Sequence, residues 1–366
     1  MDKTNERILS IDILRGLTII FMIIVNDPGS WSHVYAPLLH AEWNGITPTD
    51  YIFPNFLFIV GVSIVFSINK QIENGSSKIK IIKKVFWRSI KIYLVGLFLW
   101  IFPSFDFDNI RWAGVLQRIS LVFLFCAIIY LLTNLKQQIF IAIFILIFYT
   151  LIMVYTPIPG IGDPDLSVPE KNWAHYIDSL YLPGVLWEDT WDPEGILSTF
   201  PSIVTGIFGM IAGFILSSKV NLEKKIIKIF ILGFILLFLG DISRFIFPLN
   251  KHIWSTSYTF LMGGISSILI CLFIFLVDLK NIKKVFRPAK VFGVNSIFSY
   301  SLASLFTIFF YSDYIWGFGL NSTFMSFSES IGIPLKLASL VYAIFYAAVI
   351  WIPTNILYRK KIYIKL

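Results

Sequence analysis

Apolar runs of membrane-crossing length recur from one end of the chain to the other, and the polar stretches between them alternate between two kinds. The runs predict ten spans, near 9–26, 51–68, 86–102, 113–132, 138–156, 196–217, 226–243, 255–277, 291–311 and 335–357. A run such as IFIAIFILIFYTLIMVY (139–155) does not alternate, which excludes a β-barrel, whose segments would be roughly ten residues of alternating character. The expected fold is therefore all-α, a polytopic helical membrane protein of about ten transmembrane helices. No internal repeat of fixed period is visible. Residues 1–366 read as a single transmembrane domain with one long outward-facing loop, 157–195.

The alternation of the connections sets the expected orientation. One kind, KQIENGSSKIKIIKK (70–84), SSKVNLEKKIIK (217–228), DLKNIKKVFRPAK (278–290) and the tail YRKKIYIKL (358–366), is basic. The other kind, 27–50, 103–112, 157–195, 244–254 and 312–334, is rich in Asp, Trp, Pro and Gly. Of 30 Lys and Arg, only Arg111, Arg118, Lys171, Arg244, Lys251 and Lys336 lie in or next to the second set; the others lie in the first set, at the N-terminus, in the 133–137 turn or, as Arg15, Arg88 and Lys91, in the span halves adjoining the basic side. Basic residues stay on the cytoplasmic side, so both termini are expected there and the 27–50 loop faces outward. An even number of spans agrees.

Composition changes this picture little. The chain is 57% hydrophobic and 14% charged, with a mean hydropathy of +0.77, against about 25% charged residues in soluble domains. The net charge of +8 lies in the loops of a membrane protein and does not point to nucleic acid. Lys3 and Arg7 precede the first apolar run as in a signal peptide, but no small-residue cleavage site follows and Asn26-Asp27-Pro28 interrupts directly. The run is read as a retained first span. Cys126 and Cys271 lie in separate apolar runs and read as buried free thiols, with no disulfide framework and no metal site.

Candidate chemistry concentrates between Ser10 and Gly61, where Asp12, Arg15, Asn26, His40, Asn44 and Asp50 surround two apolar spans. Ionisable groups in or beside a bilayer are costly and mark functional sites, and histidine is the side chain suited to moving protons near neutral pH. His40 is the candidate general base, with Asn26 and Asn44 as hydrogen-bond donors. In TPTDYIFP (47–54), Thr47 or Thr49 caps a helix and Asp50 complements its positive end; Asp50 is also placed to orient the His40 imidazole. Arg15 shares a helix face with Asp12, which makes a local ion pair the plain reading, and also stands toward the cytoplasmic side where a phosphorylated donor would meet it. Gln117 and Arg118 lie early in a span, so Arg118 should face the bundle interior or a cavity. Lys251, Trp254 and Ser257 mark the outer start of another helix. Asn295 sits just inside a span, where a hydrogen bond to a neighbouring helix is the commoner role.

The blocks RILSIDILRGLTIIFMIIVNDPG, LLHAEWNGITPTDYIFPNFLFIVGVS, RWAGVLQRISL, WDPEGILSTFPSIVTGIFGMIAG, PLNKHIWSTSYTFLMGG and FGVNSIFSY, in order over nearly the whole chain, resemble the heparan-α-glucosaminide N-acetyltransferase family. The resemblance implies a transmembrane acyltransferase that takes acetyl from cytoplasmic acetyl-CoA and delivers it to an acceptor on the other side of the membrane. It makes His40 of HAEWNG the active histidine and Asn26 the asparagine of the VN motif. Asp50 and Asn44 complete the expected catalytic set, while Arg15, Gln117, Arg118, Lys251, Trp254, Ser257 and Asn295 are assigned to the donor. No counterpart of the large lumenal N-terminal domain of the animal enzyme is expected, and an amino sugar or saccharide hydroxyl on a bacterial glycan is expected as acceptor in place of heparan sulfate. A bacterial inner membrane, surrounding lipid and a homodimer are expected by resemblance only. Direct attack and an acetyl-histidine intermediate both stay open. The rival readings are a transporter or exporter of a polar solute, since broken helices and intramembrane charges occur there too, and a structural subunit of an envelope-building complex.

Overall fold

The computed structural model describes residues 8–102 and 104–364. Among these the structure is helical, with four isolated bridge pairs and no named strand. In chain order the helices are α1 (Leu9–Asn26), α2 (Ile52–Glu73), α3 (Lys78–Ile101), α4 (Val115–Leu132), α5 (Leu135–Thr150), α6 (Trp173–Tyr181) and α7 (Ile196–Ser217). They continue with α8 (Leu222–Ser243), α9 (Thr256–Phe273), α10 (Arg287–Val294), α11 (Ser296–Phe310), α12 (Leu320–Ser330) and α13 (Leu335–Arg359). Wider π turns extend α5 over Leu151–Tyr155 and α9 over Ile274–Leu279.

Short polar residues start these helices by taking up first-turn N–H groups. Ser77 accepts from Lys80 N, Asn134 from Gln137 N, Asn172 from His175 N and Asn221 from Lys224 N. At α5 the bond is reciprocated, since the Gln137 side chain accepts from Asn134 N.

Among the described residues eight helices are long and apolar enough to cross a membrane alone, and α10 with α11 makes a ninth if taken as one span. The tenth expected span is α3, which has the length but carries Lys78, Lys80, Lys83, Lys84, Arg88 and Lys91. The expected span 291–311 is not one straight helix. It bends by 91° at Asn295, whose amide donates to Ile362 O (3.0 Å) and accepts from Ile364 N (3.0 Å). A side chain committed to another backbone ends the helix there. Large apolar side chains stay exposed on α5 and α8, as lipid-facing helices require; Phe140, Phe144 and Phe148 form one such ladder. This is a polytopic helical membrane protein.

The described chain separates into two compact units. The first comprises residues 41–46 and 54–272. In it α7 packs on α4, α5, α6 and α8, and a Cβ at Gly61 would lie 2.0 Å from Gly206 O, so α2 and α7 meet without intervening side chains. The second comprises 8–40, 47–53 and 273–364, with α1 against α10, α11 and α13. There a Cβ at Gly16 would lie 1.6 Å from Ala289 O, and one at Gly293 would lie 1.7 Å from Asp12 O. Ile13, Val277 and Ala289 form the adjoining core.

Candidate active site

A carboxylate that starts a helix also grips the candidate base. Pro48–Tyr51 is a single 3-10 turn leading into α2, with Thr47 as its cap. Asp50 Oδ2 accepts from Thr47 N (2.8 Å), leaving Oδ1 for His40 Nδ1 at 2.6 Å. Thr47 Oγ1 also donates to Leu39 O (2.6 Å) and Thr49 Oγ1 to Pro37 O (3.1 Å), which fixes the segment carrying His40. The Asp50 side chain is 1% exposed and that of His40 is 42% exposed. A carboxylate accepting at Nδ1 puts the neutral imidazole's proton there, so its basic lone pair resides on Nε2. The capping and orienting roles expected for Asp50 therefore coexist, one on each oxygen.

Asn26 is the last residue of α1 and is exposed. Asp27 follows it, and burial pushes its carboxyl from 3.8 up to about 7; its carbonyl accepts from Tyr311 Oη (2.6 Å). Arg15 donates to Asp12 (3.3 Å) and to Gly293 O (3.2 Å), so the expected i,i+3 pair is present. Asn295 is 2% exposed and holds the 362–364 segment, as described above.

In the first unit, residues 41–46 are laid against 249–252. Gly45 N donates to Leu249 O (2.8 Å), and Asn250 Nδ2 donates to Asn44 Oδ1 (3.1 Å). Asn44 Nδ2 donates to Leu166 O (2.9 Å), so the side chain expected to donate in catalysis ties the chain to the 157–195 loop. His252 Nε2 lies 2.9 Å from Ala41 O, and its ring stacks on Trp43 and meets Trp191 edge-on.

Arg118 is 1% exposed, as an intramembrane arginine facing inward should be. Its guanidinium lies 5.1 Å from the Trp254 ring and donates to Gly195 O and Ser198 Oγ. Trp254 Nε1 donates to Thr205 Oγ1 (3.1 Å), and Ser257 Oγ to Phe247 O. Gln117 is buried, its Oε1 lying 2.4 Å from where a Gly96 Cβ would be. Lys251 adjoins in the turn before Trp254. The structure thus joins Arg118 to Trp254 among the seven donor residues.

Nearby, Arg111 donates to both Asp192 oxygens (2.6 and 2.7 Å) and to Glu194 (2.8 Å), beside the Trp187 ring at 4.8 Å. Burial opposes its charge, but the two carboxylates outweigh that and raise its pKa. Asp178 accepts from Ile196 N (2.9 Å) at the start of α7, and burial pushes its carboxyl up to about 7. A Cβ at Gly195 would lie 1.9 Å from Asp178 Oδ2. Sequence reasoning missed Asp178, Asp192, Glu194, Ser198 and the Trp43–His252 stack. The available signals were Arg111, a cation on the acid-rich side, and the acid- and Trp-dense WEDTWDPEG. Among the described residues no three His, Cys, Asp or Glu come together to hold a metal ion.

Comparison with known proteins places these features in context. The heparan-alpha-glucosaminide N-acetyltransferase of Homo sapiens is 29% identical over 98% of this chain and 60% of its own length. The Mus musculus protein of the same name is 29% identical over 81% of this chain and 53% of its own length. The chain thus spans 60% or less of the curated relatives it matches. Residues 7–243, nearly two thirds of the chain, match the model of the catalytic region of those enzymes, and the chain belongs to the heparan-alpha-glucosaminide N-acetyltransferase catalytic family.

Proposed function

We propose that this protein is a transmembrane acetyltransferase that moves an acetyl group from acetyl-CoA to an amino or hydroxyl group of a saccharide, with His40 as general base. The observation that carries the reading is the His40–Asp50 pair, 2.6 Å apart, in a member of this family. Asp50 holds the proton on Nδ1, and Nε2 takes the proton of the acceptor nitrogen or oxygen as that atom attacks the thioester carbonyl. The new N–C or O–C bond forms, the C–S bond breaks, and the thiolate of CoA leaves with the proton returned from Nε2. Asn26, exposed on the last residue of α1, would donate to the developing oxyanion in preference to Asn44, whose amide is engaged with Leu166 and Asn250. Arg118 and Trp254 are assigned to the donor. The two ends of the reaction lie on opposite sides of a bacterial inner membrane, with both termini cytoplasmic.

The test is transfer from radiolabelled acetyl-CoA to glucosamine by the purified protein in liposomes, beside His40→Ala. Label on glucosamine, lost in the variant while acetyl-CoA affinity persists, supports the reading. Substantial residual turnover removes His40 from the central role. Label retained on wild-type protein without acceptor would replace direct attack by an acetyl-histidine intermediate.

A further inference from the structure

The turn between α2 and α3 carries an open hollow of about 420 Å³ lined by Gln71, Ser76, Lys80, Lys83, Lys84 and Trp87. Three cations border it and no carboxylate does. Lys84 is held toward its far wall, with Nζ donating to Gln71 Oε1 at 3.2 Å. An anion held between ammonium groups gathered around a concavity relieves their mutual repulsion.

What lies along the helix narrows the kind of anion. At about 100° per residue, Lys80, Lys83, Lys84, Trp87, Leu94 and Phe98 share one face of α3. Trp87, Leu94 and Phe98 are 54%, 55% and 48% exposed. Leu94 lies about 15 Å and Phe98 about 21 Å along the helix from Lys84, a distance that matches an acyl chain rather than a soluble phosphate. Lys91 stands on this face between Trp87 and Leu94, with a stem long enough to return its charge to the headgroup level. Trp87, between the cations and the apolar strip, occupies the position an indole takes at a membrane interface.

We propose that this hollow is a binding site for an anionic phospholipid, with the phosphate among Lys80, Lys83 and Lys84 and the acyl chains along Trp87, Leu94 and Phe98. A zwitterionic lipid lacks a partner here, because no carboxylate borders the hollow to meet its ammonium. The site is independent of the acetyl-transfer reading.

The full chain is purified in mild detergent and titrated with phosphatidylglycerol or phosphatidylcholine, and bound lipid is counted by native mass spectrometry. Wild-type protein should prefer phosphatidylglycerol by about tenfold or more. The variant Lys80→Gln/Lys83→Gln/Lys84→Gln should lose that preference while melting as wild type does in phosphatidylcholine. The variant Lys219→Gln/Lys224→Gln/Lys228→Gln removes equal charge from the turn before α8 and the first two turns of α8 and should keep the preference. No preference in wild type, or an equal loss in both variants, overturns the site. So does a result in which the first variant keeps its lipid preference but loses affinity for acetyl-CoA without lipid, since the anion held there would then be a soluble phosphate.

Discussion

Asp27 makes the stability of this protein depend on pH in a direction opposite to most carboxylates. It follows α1, its N–H donates to Ile23 O (3.0 Å), and burial pushes its carboxyl from 3.8 to about 7. Between those values the folded protein holds a proton that the unfolded chain releases, so folding binds protons. The stabilisation is full below the unfolded value of 3.8 and is lost as pH rises through about 7. A shift of about three units at 1.36 kcal/mol each sets a ceiling of about 4 kcal/mol. Asp27 is only half-buried by surface area, so solvent screening brings the expected effect to roughly 2 kcal/mol. Asp27→Asn cannot ionise. The assay is melting in detergent micelles followed by tryptophan fluorescence from pH 5 to 9, reported as variant minus wild type. Asp178, also near 7 through burial, is present in both proteins and cancels. The variant should already lead wild type at pH 5, extend that lead up to about pH 7 and hold it unchanged above. A difference that stays flat, or a wild type that gains on the variant with pH, refutes a desolvated Asp27.

Asp50→Asn keeps an acceptor for the Thr47 N–H but removes the charge that holds His40 Nδ1. Loss of one charge-assisted hydrogen bond, about 1.5–3 kcal/mol, predicts a 10- to 100-fold slower acetyl transfer with acetyl-CoA affinity unchanged; an initial rate within twofold of wild type would separate Asp50 from His40 function. Arg111→Ala strands a buried Asp192 and should destabilise by about 3–5 kcal/mol, read as a lowered denaturation midpoint, whereas Arg111→Lys should cost less. Gly16→Val puts a side chain where Ala289 O already stands and should abolish monodisperse protein in size-exclusion chromatography. Gly75→Ala, at φ +76° with open space around it, should cost only about 1 kcal/mol of thermal stability.

Hydropathy located the spans because each must bury or present a continuous apolar surface; the expected 196–217 coincides with α7. It is blind to the break at Asn295, where the chain around stays apolar and the cause is an amide bonded to residues 362 and 364. It also passes over α6, nine residues inside the long loop, because a short amphipathic helix capped by Asn172 is below span length. His40 and Asp50 were legible as a pair because only ten residues separate them and the Thr47 cap fixes the second. Arg118 was legible as a costly charge, but not its Trp254 and Ser198 partners, which are 136 and 80 residues away and carry no spacing signal. Asn44 was misleading for the same reason: a polar residue beside a candidate base looks alike whether it faces a substrate or fastens a loop.

The contact of α1 with α10 at Gly16 and Gly293 leaves no side chain between the two backbones to absorb a displacement. A pair of helices joined in this way behaves as one rigid lever. Any shift that a ligand imposes on Asn26 at the far end of α1 must travel to Gly293 and, two residues on, to Asn295. The amide there passes it to residues 362 and 364. The last turn of α1 and the tail of the chain are thereby coupled in rotation, so a reporter placed near Ile362 would register events at Asn26 that it does not touch.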